Sequence, residues 1–80
     1  MRNDIMASAF VMISCDYGQE NRVINEMKSL IPVKQIEETV GVYDIIAKVE
    51  SKSLDKVKET ISTKIQKMTN VRSTLTLFVN

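Results

Sequence analysis

The residues able to do chemistry are few: Cys15, and a short run in which Gly41, Val42, Tyr43 and Asp44 stand together inside "TVGVYDIIAKVE". Cys15 is the single cysteine and the chain has no histidine. That excludes an internal disulfide, leaves no recognisable zinc or iron–sulfur ligand set, and leaves the thiol without an imidazole to activate it. Cys15 is therefore read as a small buried thiol on a strand. Enzymatic chemistry needs a base or nucleophile seated in a pocket, and the chain offers only Asp44, Tyr43, Cys15 and surface carboxylates. No catalytic residue, no metal and no cofactor is expected. What remains is a carboxylate placed beside a glycine that can turn the chain.

The elements that must position this group follow from length and pattern. Eighty residues make one domain at most, and at this size folding removes only about 60% of the chain's surface from water, so burial against a partner is expected. The apolar fraction of 44% and charged fraction of 26% are those of a folded globular chain. Eleven basic and ten acidic residues leave a net charge of +1, far from the balance that phosphate neutralisation demands, so no direct nucleic-acid partner is expected. "MASAFVMIS" is too short to span a bilayer and makes no convincing signal peptide behind one Arg. No membrane partner is expected and the reading is cytoplasmic.

Ala7 to Cys15 alternates Ala7, Ala9, Val11, Ile13 and Cys15 against Ser8, Phe10, Met12 and Ser14, the period of a strand. Both sides are partly apolar, which places this strand inside a sheet. Asp16 and Gln19 resemble a capping box, and the helix after them gathers Val23, Ile24, Met27, Leu30 and Ile31 on one face until Pro32 ends it. "VKQIEETV" is a second strand whose Lys34, Glu37 and Glu38 suit a sheet edge. Gly41 turns the chain into a third, "YDIIAKVE", completing an antiparallel hairpin. Ser53 caps a second helix with Asp55 in its first turn, and Leu54, Val57, Ile61, Ile65 and Met68 form its apolar stripe. Asn70 closes that helix in the left-handed conformation, and "VRSTLTLFV" is the last strand.

The order βαββαβ is the ferredoxin-like plan, α+β, with both helices on one face of a four-stranded antiparallel sheet and the second and fourth strands outermost. Residues 1–6 form an N-terminal extension and residues 7–80 the domain. Two helices cover one side only. With Val11, Ile13, Ile45, Val49, Leu75 and Leu77 assigned inward, the other face carries Phe10, Met12, Ile46, Thr74, Thr76 and Phe78, more apolar surface than a small monomer exposes. A homodimer packed sheet on sheet is expected, with Phe10, Met12, Ile46 and Phe78 in its interface.

"GVYDIIAKVE", the second helix and "VRSTLTLFV" with its alternating threonines resemble the C-terminal effector-binding domain of the Lrp/AsnC transcription regulators, over about Ala7 to Val79. The resemblance implies a domain that binds small effectors, typically amino acids, and assembles into dimers and multiples of dimers. In that family a separate helix-turn-helix domain binds DNA. Only "MRNDIM" precedes the first strand here, so the expectation is a stand-alone form, acting on transcription through association with a full-length Lrp/AsnC regulator. Gly41, Val42, Tyr43 and Asp44 match the family's effector loop, and Thr74 and Thr76 match threonine positions of its last strand. The chemistry agrees: an amino-acid zwitterion needs donors for its carboxylate and an acceptor for its ammonium, and a glycine turn beside an aspartate supplies both.

Plainer readings stand beside these. Gly41 serves only as the positive-φ residue of the hairpin, Tyr43 as an interface aromatic, Asp44 as an acceptor of loop N–H bonds without a ligand, and the threonines as ordinary strand residues. The domain is then a purely structural oligomerisation unit. A small dimeric ferredoxin-like enzyme is a further alternative, and RNA binding on the sheet face the weakest, since Ile46 and Lys48 replace the stacking pattern that function needs.

Overall fold

The computed structural model describes residues 5–79; residues 1–4 of the N-terminal extension and residue 80 lie outside the described residues. Four strands, β1 (Ala7–Cys15), β2 (Val33–Glu38), β3 (Ile45–Ser51) and β4 (Val71–Val79), form one antiparallel sheet in the order β2-β3-β1-β4. Helix α1 (Glu20–Lys28) lies between β1 and β2 in sequence, and α2 (Leu54–Glu59) runs into a π-helical segment, Thr60–Ile65, before β4. This is the ferredoxin-like βαββαβ architecture, with β2 and β4 at the edges as the pattern predicts.

The core lies between the helices and one face of the sheet. Ala9, Val11, Ile13 and Cys15 of β1 and Ile45, Ala47 and Val49 of β3 are buried there against Val23 and Met27 of α1 and Val57, Ile61, Ile65 and Met68 beyond it. Ile13 is fully buried on a central strand. Ile13→Ala is expected to cost about 2–5 kcal/mol in transfer and cavity energy, a large share of the roughly 5–15 kcal/mol that holds a typical domain. A urea melt of the variant reads this as a lowered midpoint with an unchanged slope.

Several local expectations are corrected. No capping box forms at α1: its N-cap is Gln19, without a side-chain cap bond, and the Gln19 N–H donates to the Asp16 carbonyl across a turn at Gly18, φ +78°. The helix stops at Lys28, ahead of Pro32, because Ser29 donates both its N–H and its hydroxyl to the Glu26 carbonyl and tightens the last turn. Ile31 then falls beyond the helix and is 85% exposed. Strands β2 and β3 end and begin at Glu38 and Ile45, leaving a longer loop than expected. Leu54, at the first turn of α2, is exposed, while Ser53 caps as expected by accepting from the Lys56 N–H at 3.2 Å. Asn70 does not adopt the left-handed conformation; among the described residues only glycines have positive φ.

The π-helical segment has a visible cause. The hydroxyls of Thr60, Ser62 and Thr63 donate to the carbonyls of Lys56, Lys58 and Glu59 at 2.8, 3.0 and 2.6 Å, competing for the acceptors that hold an α-helical turn. The Gln66 N–H reaches back five residues to the Ile61 carbonyl at 2.9 Å.

The largest correction concerns β4. Cys15 pairs with Val71 but Ser14 pairs with Ser73, so Arg72 is an extra residue in a bulge. One inserted residue sends every later side chain to the other face. Ser73, Leu75, Leu77 and Val79, which pair with Ser14, Met12, Phe10 and Ser8, therefore join the open face. Thr74, Thr76 and Phe78 pair with Ile13, Val11 and Ala9 and lie on the helix side. Phe78 is thus not on the face carrying Phe10, Met12 and Ile46.

Candidate functional site, the hairpin loop and the end of β1

The hairpin loop between β2 and β3 is closed by two bonds from one residue. The Thr39 N–H donates to the Asp44 carbonyl at 2.8 Å, and its hydroxyl donates to the Tyr43 carbonyl at 2.8 Å. Within that frame Gly41 takes φ +119°, a region that side chains disfavour. No atom crowds its missing Cβ, so conformation, not space, requires glycine there.

Asp44 explains how the chain leaves the sheet. Ile13 and Ile45 are paired across β1 and β3, and one residue earlier the Asp44 N–H still donates to the Ile13 carbonyl at 2.8 Å. The next acceptor that β1 needs is supplied by the side chain: the Cys15 N–H donates to Asp44 Oδ2 at 2.7 Å. A carboxylate thus replaces a strand carbonyl, a short charge-assisted bond that fastens the loop to the sheet. Its other oxygen, Oδ1, has no partner among the described residues, and neither do the N–H groups of Gly41, Val42 and Tyr43. Val40 and Val42 are almost wholly exposed, and Tyr43 and Asp44 are half-buried.

The loop thus leaves three N–H donors and one carboxylate oxygen without partners among the described residues, the two kinds of group that opposite charges on one small molecule require. Thr74 and Thr76 are not brought to it. Strand β1 stands between β4 and the hairpin, Thr74 Oγ1 accepts from Gln66 Nε2 at 3.1 Å, and Thr76 lines a separate cleft beside Ile61 and Phe78. The principal clefts of the single chain are likewise lined by residues other than Gly41–Asp44. Thr39 was the residue that sequence reasoning missed; a threonine four positions before the last loop carbonyl was its only signal.

Cys15 is 4% exposed. Burial pushes its thiol from an ordinary 9.0 up to about 11, with Asp44, Glu20 and Asp16 adding to the effect. The thiol stays protonated near neutrality, as an inert core group. Below pH 9 it is neutral folded and unfolded; above that the unfolded thiol ionises first, so stability falls from about pH 9 to about 11. Comparing the pH dependence of melting in the wild type and Cys15→Ala is expected to show this component only in the wild type.

The open face of the sheet carries Phe10, Met12 and Ile46 with Leu75, Leu77 and Val79, the last three 43%, 49% and 46% exposed. A polar strip crosses it: the Ser8 hydroxyl donates to Glu50 Oε2 at 2.9 Å, Lys48 Nζ lies 3.6 Å from that same oxygen, and 6.0 Å from the Phe10 ring centroid. Among the described residues no group of His, Cys, Asp and Glu is placed to hold a metal ion, and no helix is long and apolar enough to cross a membrane.

No curated protein matches the chain. Among solved structures, FFRP-DM1 is 30% identical with a TM-score of 0.88, over 92% of this chain and 99% of that one. Escherichia coli AsnC is 28% identical with a TM-score of 0.83, over 91% of this chain and 50% of AsnC, so the chain spans half the length of that regulator. A transcriptional regulator of Neisseria meningitidis, solved as a complex with L-Met, shares the fold at 13% identity and a TM-score of 0.80, over 92% of this chain and 49% of that one. The sequence model of the Lrp/AsnC ligand binding domain matches residues 8–80. With its hairpin loop, its two-helix cover and nearly its whole length accounted for by that match, the chain belongs to the Lrp/AsnC family.

Proposed function

We propose that this domain senses an amino acid at the Gly41–Asp44 loop and couples its binding to assembly, so modulating transcription through association with a full-length Lrp/AsnC regulator. The observation that carries the reading is the state of Asp44: one carboxylate oxygen is fixed by the Cys15 N–H while the other, like the N–H groups of Gly41, Val42 and Tyr43, has no partner among the described residues. The ammonium of an amino acid pairs with Asp44 and its carboxylate with the loop N–H groups. The L-Met complex of the N. meningitidis regulator supports the ligand class.

Assembly is proposed to begin as a dimer of facing sheets, anchored by Phe10, Met12 and Ile46 with Leu75 and Leu77 in place of Phe78. The loop, standing at the end of the sheet with Val40 and Val42 exposed, then meets a further copy, which closes the site over the ligand. A threonine contact from Thr74 or Thr76 to this ligand has to come from a neighbouring copy.

Native mass spectrometry with and without a mixture of amino acids tests this. Dimers or multiples of dimers carrying one amino-acid mass per subunit are the expected result, and a monomer that retains no mass at millimolar ligand overturns it. Dimers without added mass favour the purely structural reading, for which the bond from Cys15 to Asp44 is the supporting observation.

A further inference from the structure

A second feature lies at the far end of the sheet, where Ala7 pairs with Ser51 and Ser8 with Val79. The bulge at Arg72 turns Phe78 to the helix side, but the inward stripe of α2 and the turn after it covers Val57, Ile61 and Ile65 and leaves Phe78 51% exposed. Phe78 becomes a wall of a cleft of about 630 Å³, together with Met6, Leu54 and Val79. Lys52 and Lys58 stand at the same cleft. Among the described residues neither is in an ion pair, since Lys56 takes Glu59 and Lys48 takes Glu50, and no carboxylate side chain lines the cleft.

We propose that this cleft binds a small carboxylate anion carrying an aromatic or branched apolar group, held by Lys52 and Lys58 at its carboxylate and by Phe78, Leu54 and Met6 at its apolar end. The cleft volume lies within the range of small-molecule sites, and an amphipathic anion uses both of its chemistries. The half-exposed Phe78 and Leu54 gain burial, and two ammonium groups that have no ion pair among the described residues gain a counter-charge. An amino acid fits less well, because its ammonium meets two cations and, among the described residues, no carboxylate side chain. The cleft therefore selects the acid lacking an α-ammonium, the opposite preference from a loop that holds Asp44. This site is separate from the Gly41–Asp44 loop and stands or falls independently of it.

Hydrocinnamate is the probe, followed by amide proton–nitrogen correlation spectra of the full chain. Its neutral amide, hydrocinnamamide, and L-phenylalanine serve as comparators. Saturable shifts are expected at Lys52, Leu54, Lys58 and Phe78, with binding of both comparators weaker by about tenfold or more, the scale of one lost charge contact. The double variant Lys52→Ala, Lys58→Ala removes exposed side chains, keeps the spectrum of the folded domain, and is expected to lose a similar factor. Phe78→Ala is expected to weaken binding while leaving the preference for the anion. Equal binding of acid and amide, no saturation, shifts centred on Gly41–Asp44, or a cleft closed to the probe by a second copy would each overturn the proposal.

Discussion

Leu77→Asp is expected to dissociate the proposed sheet-on-sheet dimer, while Phe78→Asp on the adjacent residue leaves it assembled. The two side chains point to opposite faces: Leu77 pairs with Phe10 on the open side, and Phe78 pairs with Ala9 on the helix side. In a sheet-on-sheet dimer the symmetry axis places two copies of each substitution in one interface. A carboxylate buried there without a partner costs several kcal/mol per copy, enough to raise the dimer Kd by about a hundredfold or more. Phe78 is half-exposed on the helix side of the sheet, away from the face proposed to make that contact, so the charged variant is expected to shift Kd by less than about threefold. Sedimentation velocity across a concentration series reads both. A reversed outcome, with Phe78→Asp monomeric and Leu77→Asp dimeric, would mean that the copies meet along the β4 edge on the helix side.

That contrast also marks where the sequence stops being readable. The strands of β1 and β3 were legible because their alternation puts Val11, Ile13, Ile45 and Val49 on one side whichever neighbour they pair with, and the structure buries all four. The second half of the helical stripe was equally legible, since Val57, Ile61, Ile65 and Met68 stay inward through the π-helical segment. In β4 both faces are apolar enough: Leu75 and Leu77 on one, Phe78 with two threonines on the other. Periodicity then fixes the alternation but not its phase. The phase is set by the bulge at Arg72, a matter of pairing with Ser14 and Cys15 that local composition does not encode. The end of α1 escaped for a related reason, because the tightening bonds from Ser29 to Glu26 end the helix before the proline that sequence rules single out. At the loop, glycine and aspartate were visible by type, while the partner of Asp44 was not, because Cys15 lies 29 residues away.

Asp44 holds the Cys15 N–H, and a pair of variants separates that role from the proposed recognition of a ligand. Asp44→Ala leaves the Cys15 N–H without its acceptor, and a lost bond of this kind costs about 1–3 kcal/mol. The variant is expected to melt several degrees lower even without ligand. Asp44→Asn keeps an oxygen for the Cys15 N–H and gives up only the charge, so its loss of stability in the absence of ligand is expected to be about 1 kcal/mol or less. The ammonium of an amino acid is attracted by that charge and not by a neutral amide, and affinity is expected to fall by about tenfold or more. Ligand at free concentration L that binds only the folded state stabilises it by RT ln(1 + L/Kd), so the melting temperature rises with the ratio of ligand concentration to Kd. The wild type should therefore gain several degrees at millimolar effector, and Asp44→Asn little or none. If both proteins gain equally, Asp44 is a fastener of the hairpin and the ligand's ammonium is held elsewhere. If the stabilising effect disappears with the charge while the fold remains, the same carboxylate that lets the chain leave the sheet also recognises what binds there.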